Sequence, residues 1–449
     1  MTASARRLAA IGLVATFGVA AAPIKRIEFT DTKLQNGLRV IISEDRSAPV
    51  VALAVTYNVG SRDERKGRTG FAHLFEHMMF KGSENVGAGE HPYLIFSNGG
   101  TMNGTTNKDR TLYFELLPAN QLDLALFLEA DRMKSLDISK ANLDNQINAV
   151  QEERRLRVDN QPYGKVFEVL DELAYDNFAY EHSVIGSMAD LSAANVDDVA
   201  SFFKMYYAPN NAVLSIVGDV DPKATLAKVE KYFGSIRTQP APPRVDMTEP
   251  PQTAERRATV DDPLAPLPRI DMAYKIPPAN SPDDDALTVL ATILSSGRSS
   301  RFTENIVRQK QLATSVFAGS DETRGPGLFN VVGTAAPGKA LADLEAAIEE
   351  EIEKVKSGPI ADWEIEKARN GARNGLVNSL GSSLQRAILL GQYALYYDKP
   401  DMINTRSANI EKVTAADVQR VAQKYLVKTG RTVVTTVPKK GSAPQGGER

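Results

Sequence analysis

His73-Leu74-Phe75-Glu76-His77 decides how this chain is read. On a helix, residues i and i+4 share one face, so the two imidazoles stand one turn apart and can hold one metal ion, with a carboxylate beside the second. Zn²⁺ favours neutral imidazole nitrogen, and a catalytic site adds a third protein ligand while keeping one position open for water. Glu76 is then placed to take a proton from that water. The order H-x-x-E-H inverts the commoner H-E-x-x-H. The chain has only four histidines, and two of them lie in this pentapeptide. His91 and His182 have no partner at ligand spacing and read as turn or surface residues. No histidine follows residue 182, so an imidazole site belongs to the first half, and the absence of cysteine excludes thiolate ligands, a cysteine nucleophile and disulfides.

A third ligand has to come from an element packed on the motif helix. A helical pattern runs from Ser139, a suitable N-cap, to Val158, with Leu143, Ile147 and Val150 forming an apolar line. Advancing about 100° per residue, Glu152 points away from that line, whereas Glu153 falls on its flank beside Val150. Glu153 is therefore the carboxylate aimed at the core, and Glu152 the one left in water.

Outward from the motif, Ile27 to Lys33 and Leu38 to Ser43 read as strands joined by the tight turn at Asn36-Gly37, and Val50 to Val59 as a third. Phe71 to Phe80 is helix-length and bounded by Gly70 and Gly82. Arg110 to Leu117 reads as a strand, Pro118 to Ser135 as a helix, and Ala212 to Val217 as a later strand. Five prolines between Thr238 and Pro251 mark a semi-rigid linker. Beyond it the pattern runs again: an extended run from Ile270 to Lys275, a helix from Asp284 to Leu294, and Gly297-Arg298-Ser299 echoing Gly82-Ser83. Between Asp285 and Ser300 there is neither His nor Glu, so the second copy carries no metal motif. This divides the chain into residues 23–237, a metal-bearing domain; 238–251, the linker; 252–440, a homologous domain without ligands; and 441–449, a flexible tail.

With 449 residues and a formal net charge of -3, the chain is long enough for two cores and lacks the basic surplus that draws proteins to nucleic acid or anionic membranes. Residues 1–22 read as a signal peptide: Arg6-Arg7, then an uncharged apolar run from Leu8 ending in Val19-Ala20-Ala21-Ala22. A periplasmic location follows. A membrane anchor facing the periplasm is the alternative, and the run is short for a bilayer span.

The inverzincin order of the motif, with Glu153 in Val150-Gln151-Glu152-Glu153, resembles the pitrilysin (M16) family of zinc peptidases, which includes insulinase and mitochondrial processing peptidase. Gly99 to Tyr113, which includes Asn103, and Tyr207-Ala208-Pro209-Asn210-Asn211 through Gly218-Asp219 resemble further family segments. The resemblance implies an α+β fold of two homologous domains, each a mainly antiparallel sheet with packed helices, as in the LuxS/MPP-like metallohydrolases. It also implies one Zn²⁺ per chain on His73, His77 and Glu153, with Glu76 as general base, and a peptide substrate held as a strand at a sheet edge. Asn103 would lie on or near that edge, with a turn residue beside Gly104 as the alternative reading. The family's second half usually carries an Arg and a Tyr that bind substrate. Here Arg308 matches the first, but Thr314 stands in the place of the Tyr. This departure points to the zinc-bearing subunit of a heterodimer, with a homologous chain supplying the Arg/Tyr pair; a homodimer active alone and a non-catalytic assembly subunit are the alternatives.

Overall fold

In a computed structural model of the protein, residues 26–439 are described. The signal-peptide expectation for residues 1–22 and the tail at 441–449 lie outside them. The strands are β1 (Thr30–Lys33), β2 (Arg39–Glu44), β3 (Val50–Tyr57), β4 (Thr101–Thr106), β5 (Thr111–Pro118) and β6 (Ala212–Gly218), then β7 (Arg256–Asp262), β8 (Arg269–Ile276), β9 (Ala313–Ser320), β10 (Gly327–Ala335) and β11 (Arg431–Pro438). They form a six-stranded sheet ordered β1-β2-β6-β3-β5-β4 and a five-stranded sheet ordered β7-β11-β8-β10-β9.

Superimposing the two orders reveals the duplication. In the first sheet β2 runs parallel to β6, and every other pairing is antiparallel; in the second β7 runs parallel to β11, and the rest are antiparallel. The strands β2, β6, β3, β5 and β4 thus correspond to β7, β11, β8, β10 and β9, with β1 as an addition to the first half. Residues 238–251 contain neither helix nor strand, as the proline content requires.

Each sheet buries both faces, which is why the central strand β6 is buried at every position. One face of the first sheet carries α1 (Phe71–Met78), α2 (Glu90–Ser97), α3 (Leu122–Lys134) and α4 (Lys140–Arg154). Its other face is covered by the helix Ser383–Tyr397 of the second half, whose Ala387, Leu390 and Ala394 meet Ile41, Ala52, Ala54 and Val213. The exchange is reciprocal. Helix α5 (Val166–Ala174), from the first half, lays Val166, Leu170 and Ala174 against Ala273, Leu328 and Val434 of the second sheet. Apolar periodicity specifies that such a helix is buried, but not under which sheet.

A buried polar junction ties the halves together. Asp109 accepts hydrogen bonds from Arg62 Nη1 (2.7 Å), the Tyr180 hydroxyl (2.7 Å) and the Arg324 backbone N–H (2.9 Å). Leaving such groups unpaired would cost about 1–3 kcal/mol each, so the junction fixes the mutual placement of the halves. No helix among the described residues is long and apolar enough to cross a membrane.

Candidate metal centre

Helix α1 is short and rests on β4, β5 and α4. Its N-terminus follows Gly70, whose φ of 86° suits glycine, and where a Cβ would fall 2.6 Å from the Ile185 carbonyl oxygen. Two of its early N–H groups are satisfied by one fully buried carboxylate: Glu64 accepts from Gly70 N (2.9 Å) and Ala72 N (2.8 Å). Glu64 is in turn bonded to His182 Nε2 at 2.9 Å, and the other ring nitrogen of His182 meets the Phe178 carbonyl oxygen at 2.8 Å. His182 therefore anchors the metal-motif helix from behind, a role its sequence spacing did not announce.

On the apolar side α1 buries Phe71, Leu74, Phe75 and Met78, which leaves His73, Glu76 and His77 facing the cleft edge. The rings of His73 and His77 are 4.9 Å apart. Ser139 caps α4, accepting a hydrogen bond from Asn142 N, and Val150 is buried, so the helix is oriented as its apolar line requires. Glu153 then meets both imidazoles: its Oε2 is 3.1 Å from His77 Nε2 and 3.5 Å from His73 Nε2. Glu152 instead pairs with Arg155 on the exposed side. The second oxygen of Glu153 accepts from Arg157 Nη1 at 2.9 Å. Arg157 lies in the π-helical segment Arg155–Asp159 that continues α4.

The donor set fits zinc. Two ligands about 2.0–2.1 Å from a tetrahedral zinc lie about 3.3–3.4 Å apart, and the observed separations straddle that value. Burial, followed by the neighbouring His77, pushes the His73 imidazole down to about 4, so it is neutral with a lone pair free at physiological pH. The hydrogen bond from His77 holds the Glu153 carboxyl below its ordinary value, so it stays ionised.

Glu76 projects toward the edge strand β4. The Thr106 hydroxyl donates to its Oε2 at 2.7 Å, and its stem lies over Gly104, where a Cβ would fall 2.8 Å from Glu76 Cγ. Burial raises the Glu76 carboxyl above its ordinary value, the direction that makes it a better proton acceptor when ionised. Asn103 is on β4 with its side chain exposed, and its Oδ1 accepts from the Gly104 backbone N–H, so the strand reading holds over the turn reading. Sequence alone does not single out Gly104 or Thr106 within Gly99 to Tyr113. An alternating small/hydroxyl pattern two residues apart on a strand is the signal that could have singled them out.

Arg308 is not brought to this centre. It pairs with Glu304 at 2.7 Å on the segment Phe302–Gln309 and lines neither the cavity beside His73 nor the adjoining one between the halves. Thr314 is exposed on β9 and donates to the Thr334 carbonyl oxygen at 3.3 Å. His91 corrects a further expectation. It is buried on α2, 2.5 Å from Glu115 on β5, with Glu129 and Arg132 of α3 alongside. A strand position and two positions on a following helix make up that neighbourhood, and no spacing rule along the chain links them to His91.

A duplicated two-sheet fold with one two-histidine helix and one helix stripped of ligands is the architecture of the M16-like peptidases. Residues 39–187 match the family described as insulinase (peptidase family M16), and residues 193–372 match the peptidase M16 inactive domain. The chain is 31% identical over 408 residues to the zinc protease PqqE of Helicobacter pylori, covering 90% of this chain and 92% of that protein. The crystal structure of a protease from Helicobacter pylori superimposes with a TM-score of 0.88 at 30% identity, covering 92% of this chain and all of the other. A probable mitochondrial-processing peptidase subunit beta of Arabidopsis thaliana is 25% identical, covering 88% of this chain and 76% of that protein. The chain belongs to the M16 family.

Proposed function

We propose that this chain is an exported zinc endopeptidase that hydrolyses peptides or unfolded polypeptide segments. The observation that carries the reading is the convergence of His73 Nε2, His77 Nε2 and Glu153 Oε2 with Glu76 held between that trio and a sheet edge. The naming of relatives as zinc proteases supports it.

His73, His77 and Glu153 would hold one zinc ion, which when bound polarises the scissile carbonyl and acidifies the attacking water. The chain's own groups do the rest. A substrate strand is positioned along the outer edge of β4, where main-chain pairing reads backbone more than sequence. Glu76 takes the proton of the attacking water and delivers it to the leaving amine. Thr106 holds one oxygen of that carboxylate, leaving Oε1 for the proton transfer, and Gly104 leaves room for the Glu76 stem against the strand. Arg157 keeps the second oxygen of Glu153 away from the histidines.

Because Arg308 is turned to Glu304 and Thr314 to Thr334, the substrate-clamping Arg/Tyr pair is assigned to a homologous partner in a heterodimer. Metal analysis and peptidase assay of the chain, alone and co-expressed with homologous chains, test the reading. One zinc per chain with turnover only in the complex is expected. Robust turnover by the single chain replaces the heterodimer with a homodimer, and zinc-free protein inactive in every combination leaves the scaffold alternative.

A further inference from the structure

We infer that the second domain, which carries no metal ligand of its own, holds the ligand Glu153 of the first domain in place, and that Tyr163 is the positioning residue through which it does so. This rests on the metal reading of Glu153 above and names a residue on which that same site depends.

Glu153 is the last residue but one of α4, and the chain beyond it crosses to the other domain. The π-helical segment Arg155–Asp159 comes first and carries Arg157 onto Glu153; α5 follows, packed against the second sheet through Val166, Leu170 and Ala174. A π-helical turn is rare and occurs mostly at functional sites. Whatever fixes the far end of this segment constrains the carboxylate at its near end. One tie is Arg154, the neighbour of Glu153, whose guanidinium forks onto Glu168 of α5 at 2.5 and 2.8 Å. Tyr163 makes the other.

Tyr163 is gripped at three points by the connection between β7 and β8. Its backbone N–H donates to Asp262 Oδ2 at 2.7 Å, and its hydroxyl donates to the Leu267 carbonyl oxygen at 2.8 Å. Its ring faces the guanidinium of Arg269, whose central carbon is 4.7 Å from the ring centre. The backbone adopts a conformation that tyrosine avoids: φ is 65°, in the left-handed region. Among the described residues Asn280, Gln311 and Asp398 are the other non-glycines with positive φ, and Tyr163 is the only aromatic one. Glycine would make this turn without strain, so the turn itself does not call for a tyrosine. A bulky residue keeps such a conformation where its surroundings over-determine it. Asp262, Leu267 and Arg269 all belong to the second domain, so that domain sets where the chain leaving Glu153 is anchored.

The test uses the full-length chain in two measurements: zinc affinity by competition with a chromophoric chelator, and amide hydrogen exchange of the metal-free protein. Asp262→Ala cuts the tie from the other domain, at a residue that touches neither the metal ligands nor Glu76. Tyr163→Gly keeps the left-handed backbone without the side chain. Each should weaken zinc binding about tenfold and speed exchange at residues 152–160 by about tenfold, with β3 and β6 unchanged. The double variant should fall short of the product of the two single effects, because both act on one tie. Asp262→Asn, which keeps an acceptor, should restore wild-type affinity. Unchanged zinc affinity in both single variants overturns the assignment, as does faster exchange spread over both domains, which would mark a general loss of stability. Peptide cleavage by the wild-type chain is measured in parallel. Zinc binding that depends on Tyr163 without any cleavage keeps the assignment and removes the peptidase reading. A wild-type chain that takes up no zinc removes the metal reading, and exchange at residues 152–160 then decides by itself whether the second domain holds Glu153.

Discussion

His73, His77 and Glu153 on the one hand, and His91, Glu115 and Glu129 on the other, are built from the same side-chain types on the same domain, and in both trios the donor atoms lie within 4.8 Å of one another. Their surroundings separate them. The first trio opens on a cavity, with side-chain exposures of 12%, 25% and 17%. The second is sealed: His91 is 5% exposed and Glu115 1%, and Arg132 supplies a cation from within, bonded to Glu129 and stacked 4.4 Å over Tyr113. Burial raises Glu115 and Glu129 to about 7 and lowers His91 to about 3, so a guanidinium and a retained proton balance the charge there. Both trios have an arginine on one carboxylate, but Arg157 is 76% exposed at the rim of the open one whereas Arg132 is sealed within the other, so access and the burial of the cation, more than residue composition, distinguish a centre poised for metal chemistry from a core network.

The largest expected effect tests the open trio. Glu76→Gln should lower kcat for peptide cleavage by about 10²–10⁴-fold while zinc content stays at one per chain. Glu115→Gln should leave turnover within a few-fold of wild type. Equal losses in the two variants would dissolve the distinction between the clusters. Next in size is the sealed trio's share of stability. Glu129→Gln strands the buried Arg132 charge and should cost about 3–5 kcal/mol in urea unfolding, with zinc content unchanged. A cost below about 1 kcal/mol would mean that the guanidinium finds water or another partner. A smaller effect is expected at the support of the base. Thr106→Val removes the hydroxyl donor to Glu76 and should lower kcat by about tenfold, about 1.4 kcal/mol, with little change in KM. A pure KM effect would make Thr106 a substrate contact instead.

The contrast also shows what could be read from the chain. The open trio was legible because two of its members sit at i and i+4 on one helix, and the third could be chosen by the face of another. Glu153 over Glu152 followed from an apolar line that the fold preserves through Val150. The sealed trio was illegible for the opposite reason: His91, Glu115 and Glu129 lie on a helix, a strand and another helix, and meet only once the sheet has formed. Glu115 did leave a trace, as a lone carboxylate in the otherwise apolar Leu112-Tyr113-Phe114-Glu115-Leu116-Leu117. The duplication was visible as a repeated order of elements, whereas the exchange of α5 and Ser383–Tyr397 between sheets was not. Two equivalent apolar surfaces compete for each helix, and pattern alone does not choose between them.

The two trios should finally differ in the sign of their pH dependence, measured on chelator-treated protein as the unfolding free energy of wild type minus that of a single Gln variant. Glu115 titrates at about 7 in the fold, against 4.5 ordinarily, chiefly through burial. Between those values the native chain keeps a proton that the unfolded chain has released. The Glu115 contribution is therefore whole below pH 4.5 and shrinks as pH rises toward 7, by at most about 1.4 kcal/mol per pH unit. Glu153 is shifted the other way, first by the hydrogen bond from His77. Its contribution is present above pH 4.5 and is lost as pH falls through its depressed folded value. The difference curve for Glu115→Gln should thus descend with pH, and that for Glu153→Gln should rise from the acid side to a plateau. Parallel curves would show that both carboxylates sit in equivalent surroundings, which the open and sealed geometries forbid.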